Sequence, residues 1–229
     1  MSNETVSSNT LDKRSTVIAV IIIGAMFFIF GLVSWVNAIL IPYFKIACEL
    51  THFESYFVAF AFYIAYLVMS VPSAFLLKRV GYKKGMMVGF FFMAAGALIF
   101  VPAALTRTYG IFLTGLFTIG TGLAILQSAA NPYITIVGPI ESAAKRMSIM
   151  GVCNKFAGIV SPLIFAAVVL KVSDSDMFTL LESGTLDEVA KNNMLDELIR
   201  RVILPYSVLS ALLLAFAFFL RFSVLPVII

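Results

Sequence analysis

Six long apolar runs separated by short polar breaks organise this chain: Val17 to Phe44, Tyr56 to Leu77, Met86 to Ala104, Tyr109 to Val137, Met147 to Leu170 and Ile203 to Phe222. Each approaches or exceeds the roughly 20 residues of helix that cross a hydrocarbon core of about 30 Å. Backbone groups facing lipid must be satisfied within their own segment, and the alternation of barrel strands is absent, so all six are expected to be helices. The pattern predicts an all-α membrane protein with six transmembrane helices. A polar leader occupies 1–16, the transmembrane domain 17–222 and a tail 223–229. The first run is long and lacks a small-residue cleavage signature, so it reads as a retained helix and not a signal peptide.

Composition agrees with this pattern. Of 229 residues, 61% are hydrophobic and 12% charged, with a mean hydropathy of +1.03, which excludes an ordinary soluble domain. The net charge of +4 reflects basic residues placed on one side of a bilayer, and no nucleic-acid partner is implied. With a cytoplasmic amino terminus, the inner side holds Lys13, Arg14, Lys78, Arg79, Lys83, Lys84, Lys145, Arg146 and Arg221. The outer side holds Lys45, Arg107, Lys171, Lys191, Arg200 and Arg201, most of them in one acid-rich connection. The densest cluster, "KRVGYKKG" from Lys78 to Gly85, reads as a tight inner turn, so both termini are expected to be cytoplasmic.

The connection over 171–202 is the one sizeable extramembrane piece. Its "TLDEVAKNNMLDELIRR" pairs Thr185 with Glu188 as a capping box and sets Leu186, Val189, Met194, Leu195 and Leu198 as an apolar face. A surface helix leading into the sixth span is expected, as a lid or spacer or as an ordinary external loop. Cys48 and Cys153 are too few and too differently placed for a disulfide framework or a metal cluster, and are expected to be free thiols. His52, beside Thr51 in a short loop, is expected to be solvated.

Polar groups at membrane depth carry the functional signal, because each costs energy unless it finds a partner or water. Asn37 lies in the first helix, Gln127 and Asn131 in the fourth, and Asn154 and Lys155 in the fifth. Gln127 and Asn131 are four residues apart and share one helical face, a row of amide donors and acceptors expected to look inward. Pro132 follows at once; its missing N–H leaves the Ser128 carbonyl without a helical donor and predicts a local bend. Gly151, Asn154, Gly158 and Ser161 form a stripe of small and polar residues, suited to close helix packing or to a water-filled cavity. Gly115, Gly120 and Gly122 are expected to let neighbouring backbones approach. Each asparagine alone is explained by an interhelical hydrogen bond, whereas the set points to a polar cavity. Lys155 is an ionisable group too deep for comfortable snorkelling, at a cost near 3 kcal/mol if unpaired, and no acid lies in any span.

Three stretches carry a resemblance: "FFIFGLVSWVNAILIPYFK", "LQSAANPYITIVGP" and "RMSIMGVCNKFAGIVSPLIF" resemble the first, fourth and fifth helices of the fucose/glucose/galactose permeases, a branch of the major facilitator superfamily. The resemblance runs from about Phe27 to Leu225. It implies a secondary transporter with two six-helix halves around a central sugar site, working by alternating access in a bacterial inner membrane. This chain would be the amino-terminal half, a 3+3 inverted repeat, with a carboxy-terminal half or a second copy as partner. Substrate contacts would come from Asn37, Gln127, Asn131 and Asn154, with Trp35, Tyr63 or Tyr133 as an apolar platform. Two departures stand out. Proton-coupled fucose members carry an acid directly after the first-helix asparagine, where this chain has Ala38, and a glutamate where it has Gln127. Lys155 is then a candidate ionisable coupling group. No cofactor is expected, and the coupling ion, proton or sodium, stays open.

Other classes fit less well. An aquaporin-type channel needs two N-P-A half-helices, and this chain has a single N-P followed by tyrosine. An intramembrane enzyme needs a nucleophile with its base, a carboxylate pair or a metal cluster within the spans, and none is present there. The main alternative is a stable half that transports only with a second half or as a homodimer.

Overall fold

A computed structural model describes residues 13–169, 187–223 and 225, and apart from short turns these are helical. In chain order the helices are α1 (Lys13–Ala47), α2 (His52–Thr106), α3 (Tyr109–Ile136), α4 (Ala143–Val169), α5 (Glu188–Arg200) and α6 (Ile203–Phe222), with a 3₁₀ turn, Ile140–Ser142, before α4. The first helix thus starts inside the expected leader, at Lys13, and five helices are long and apolar enough to cross a membrane. The second and third predicted spans are both in α2, whose 55 residues are far more than one crossing needs. They part at Gly81, with φ 77° and ψ 169°, a backbone conformation open essentially to glycine alone. The basic turn expected across Lys78 to Gly85 is therefore one residue wide, and helix flanks it on both sides. Lys83 Nζ there donates to the Ser223 carbonyl at 2.7 Å, tying the turn to the end of α6.

Helix ends are closed by specific groups. Thr51 caps α2: its Oγ1 accepts from the Glu54 N–H at 3.2 Å, and the Glu54 carboxylate accepts from the Thr51 N–H at 2.8 Å. Thr51 itself stays outside the helix, as expected, and its T-x-x-E box closes the start of α2. His52 is exposed, as expected, but begins α2. Arg146, expected on the inner side of the bilayer, is 5% exposed. Its guanidinium donates to the carbonyls of Ile134, Thr135 and Pro139 at 2.9–3.0 Å and so satisfies carbonyls at the end of α3 that the helix cannot.

Pairing among the helices is selective: α2 packs along α3, α1 along α4, and α2 along α6. The α2–α3 seam closes to backbone contact. A Cβ on Gly122 would lie 2.5 Å from the Gly89 carbonyl oxygen, and one on Gly89 would lie 2.8 Å from the Gly122 carbonyl oxygen. A Cβ on Gly120 would meet the Phe62 carbonyl oxygen at 2.4 Å, so the expected close approach at Gly120 and Gly122 is present. Large apolar side chains such as Phe60, Leu67, Phe156, Leu163 and Phe218 are exposed, as suits helices whose solvent is lipid or a further helix.

Helix α5 is docked and not free. Its N-cap is Asp187, so Glu188 is the first helical residue and not the third, as the expected capping box required; Thr185 lies outside the described residues. Leu195, Leu198 and Ile199 face the bundle while Val189 is 66% exposed, which rotates the buried face from the one expected. Arg107 bridges Asp196 at 3.2 Å and Glu49 at 3.6 Å, and Lys191 pairs with Glu49. Glu49 and Arg107 also have left-handed φ, 51° and 47°, so two strained turns meet in one ion cluster. Cys48, a free thiol beside that cluster, is pushed up to about 11 by burial against the opposing effect of Arg107.

Candidate functional site

Spacing on α3 places its two amides on one wall. Gln127 and Asn131, with Ser128 and Pro132, line an open-sided cavity of about 360 Å³ whose other wall is Tyr66 and Ser70 of α2. That volume falls in the usual range of small-molecule sites. The Gln127 Nε2 donates to the Tyr66 hydroxyl at 3.5 Å, a long bond that leaves the amide carbonyl and most of the donor capacity free for a ligand. The helix continues through Pro132 to Ile136, so the proline frees the Ser128 carbonyl on the cavity wall without ending α3.

The other two amides are engaged elsewhere. Asn37 is 5% exposed, and its Oδ1 accepts from the Tyr206 hydroxyl of α6 at 2.7 Å. Tyr206 is itself stacked on Phe100, with ring centroids 4.1 Å apart and planes 6° apart. Beside Asn37 is a cavity of only about 30 Å³, lined also by Ser34, Phe62 and Tyr63, large enough for a water and not for a sugar. Asn154 donates to the Phe27 carbonyl of α1 at 3.4 Å, against Gly31, and Ser161 donates to the Leu32 carbonyl at 3.3 Å. The α4 stripe is therefore split. Gly158 carries the Trp35 indole and belongs to the α1–α4 seam, while a Cβ on Gly151 would meet nothing within 4 Å. Gly151 is not a packing glycine.

The aromatic candidates also divide. Tyr133 is fully buried and cannot be a platform, whereas Tyr63 is 66% exposed and Trp35 37% exposed. Tyr63 and Tyr66 have ring centroids 6.5 Å apart, so aromatic surface is continuous from the Asn37 pocket to the Gln127 cavity. Tyr66 was not among the residues singled out in the sequence. Lys155 is exposed in the middle of α4, with its Nζ 5.4 Å from the centroid of the Trp35 ring. An apolar groove of about 420 Å³ between α1, α4 and α6 offers only Ser161 and Tyr206 as polar groups; both are already engaged, so it is no sugar site.

Comparison with known proteins places this geometry. Residues 11–181 match the profile of the Major Facilitator Superfamily. The chain is 36% identical over 171 residues to a glucose/galactose transporter of Brucella abortus, an alignment covering 75% of this chain and 42% of that one. It is 30% identical over 228 residues to the L-fucose-proton symporter of Escherichia coli, covering 97% of this chain and 52% of the symporter. Among solved structures, the transporter FucP in the outward conformation superposes with a TM-score of 0.80 at 30% identity, over 94% of this chain and 51% of that one. The chain spans about half the length of the curated relatives it matches. Those relatives are transporters and not enzymes.

Proposed function

The chain belongs to the Major Facilitator Superfamily, and from that membership we propose that it acts as the amino-terminal half of a secondary active transporter of a hexose or deoxyhexose, working by alternating access. The observation that carries this reading is the α3 wall, where Gln127 and Asn131 present amides to an open-sided cavity beside Tyr66. Sugar hydroxyls both donate and accept, which is what a primary amide offers in return. The apolar face of a sugar ring would rest on Tyr63 and Tyr66. Asn37 and Asn154 enter as residues that hold the helices around the site, contacting sugar only if their present bonds exchange during the transport cycle.

The open side of the cavity requires an opposing wall, supplied by a carboxy-terminal half or by a second copy of the chain. A half that folds but does not transport by itself is the second reading, and the same open side favours it. Both termini are placed on the cytoplasmic face of a bacterial inner membrane, on the distribution of lysine and arginine. No cofactor enters the scheme. Proton or sodium coupling would use a group other than a carboxylate on these spans, since among the described residues the crossings hold no acid beyond Glu54 in the first turn of α2.

Proteoliposomes test the reading. Uptake of labelled fucose, glucose, galactose and galacturonate is measured for this chain alone and for it co-reconstituted with the second half of a relative, with and without a pH or sodium gradient. Uptake that needs the second half supports a half-transporter, and uptake by the chain alone supports a homodimer. Failure of both, in protein that remains folded, removes the sugar-transport assignment.

A further inference from the structure

Among the described residues Lys155 is the one cation in the middle of a crossing, and its neighbourhood lacks the group such a cation needs. No aspartate or glutamate lies on α1, α3, α4 or α6 among the described residues, and the acid of α2, Glu54, is in its first turn. What Lys155 does have is the indole of Trp35, 5.4 Å from Nζ to ring centroid. The indole in turn is seated on Gly158, where the absence of a side chain lets it cross from α1 onto α4. Both side chains remain open to the outside of the bundle. Along α4 runs a groove of about 420 Å³ from Ser148 to Ile159, with Lys155 on its wall and Gly151 as an uncrowded stretch of floor. Trp35 follows directly on Ser34, which lines the pocket shared with Asn37 and Tyr63. A cation–π contact holds an ammonium loosely, and a carboxylate is a stronger partner through charge-assisted hydrogen bonds.

We propose that Lys155 and Trp35 form a carboxylate subsite and that the sugar carried is acidic, a hexuronate or aldonate, in place of a neutral hexose. The proposal rests on the sugar-transport reading and replaces its neutral substrate with an acidic one. The carboxylate draws Nζ off the indole, and the ring face so released stacks against the C–H face of the sugar. The sugar supplies the negative charge that the spans lack, so a single ammonium neutralises the ligand without a protein acid. Neutral hexoses would still meet the amides of Gln127 and Asn131 but would leave Lys155 on the indole.

Trp35 is the only tryptophan in the chain, so its emission reports this subsite directly. The purified chain in uncharged detergent is titrated with galacturonate and with galactose while Trp35 emission is recorded. Galacturonate is expected to change the emission saturably, with a half-saturation at least about tenfold below that of galactose. Lys155→Met is expected to abolish that preference and Lys155→Arg to retain it, with thermal melting of each variant showing that the fold persists. A second arm adds phosphatidylglycerol without sugar; a lipid response that galacturonate does not reproduce assigns the ammonium to a headgroup phosphate and overturns the proposal. Equal responses to the two sugars, or a galacturonate preference that survives Lys155→Met, overturn it while leaving the sugar-transport reading in place. Silence of Trp35 to galacturonate overturns it as well, whatever the uptake measurements give.

Discussion

The amides of α3 and the asparagines of α1 and α4 are the same chemistry put to opposite uses. Gln127 and Asn131 face an open-sided cavity with one long bond to Tyr66 between them. Asn37 and Asn154 are spent on neighbours, one on the Tyr206 hydroxyl and the other on the Phe27 carbonyl. What separates them is the surface each helix turns to its partner. The α1–α4 seam closes over Gly31 and Gly158, bringing backbone within reach of a short polar side chain. In the α2–α3 seam glycines such as Gly89 and Gly122 make the contact, and the amides of α3 are left outside it. Both seams close over glycine, and the difference is that Asn154 points into the α1–α4 seam and Asn37 towards α6, whereas Gln127 and Asn131 line a cavity.

The comparison breaks most visibly at Gly122. Valine there would place atoms 2.5 Å from the Gly89 carbonyl oxygen and 2.6 Å from Met93, with no flexible side-chain end to move aside on the Gly89 side. Gly122→Val is expected to cost at least the roughly 3 kcal/mol at the upper end of overpacking, seen as loss of the monodisperse species in size-exclusion chromatography. Gly151→Val, on the open groove of α4, should leave the elution profile unchanged. Equal damage from both would mean that the seam is not where the fold is held.

Next in size is the cavity wall. Gln127→Ala with Asn131→Ala removes two amides with no hydrogen bond to backbone among the described residues, so the unfolding midpoint should hold while sugar uptake by the reassembled transporter falls. A hydrogen bond to a ligand is worth about 1–1.5 kcal/mol, so roughly tenfold per amide is expected. A double variant that loses stability and not uptake would exchange the roles of wall and seam.

Tyr206→Phe probes the bond that engages Asn37 between α1 and α6. The hydroxyl is buried, and its loss leaves the Asn37 Oδ1 without its donor beside an Nδ2 that already has no partner in the structure. Destabilisation of about 1–3 kcal/mol is expected from chemical unfolding in detergent, and Asn37→Leu in the same chain should recover part of it, because an apolar pair has nothing left to satisfy. Phe100 keeps its stacking partner in either variant, so the measurement isolates the hydrogen bond.

These roles were unequally legible in the sequence. Six crossings follow from run length alone, since hydrocarbon thickness sets the length of a span, and the wall of α3 follows from a spacing of four. Asn37 and Asn154 were not separable from a ligand site, because an asparagine in an apolar run looks the same whether a substrate or the next helix accepts its hydrogen. Arg146 was read only as a cation on the inner side of the bilayer; its burial depends on the carbonyls at the end of α3, which it meets only once α3 and α4 have packed. Gly81 was visible inside a basic turn, but that one left-handed residue suffices to reverse the chain depends on helix persisting to both of its sides. The docking of α5 rests on charges from three separate connections, which no local pattern joins.

The smallest expected effect is the sharpest test of the seam. Asn154 donates at 3.4 Å, near the limit of a hydrogen bond, and interhelical bonds within bilayers average about 0.6 kcal/mol. Asn154→Ala should therefore destabilise the chain by only about that much, because alanine still packs against Gly31 and the Phe27 carbonyl keeps its own helical donor. Sugar binding by the reassembled transporter is expected to stay within about twofold of the parent. A loss of binding of tenfold or more with unchanged stability would mean that Asn154 leaves Phe27 for the sugar during transport. The α1–α4 seam would then open in the cycle, and the division between spent and free amides would describe a single state of the transporter.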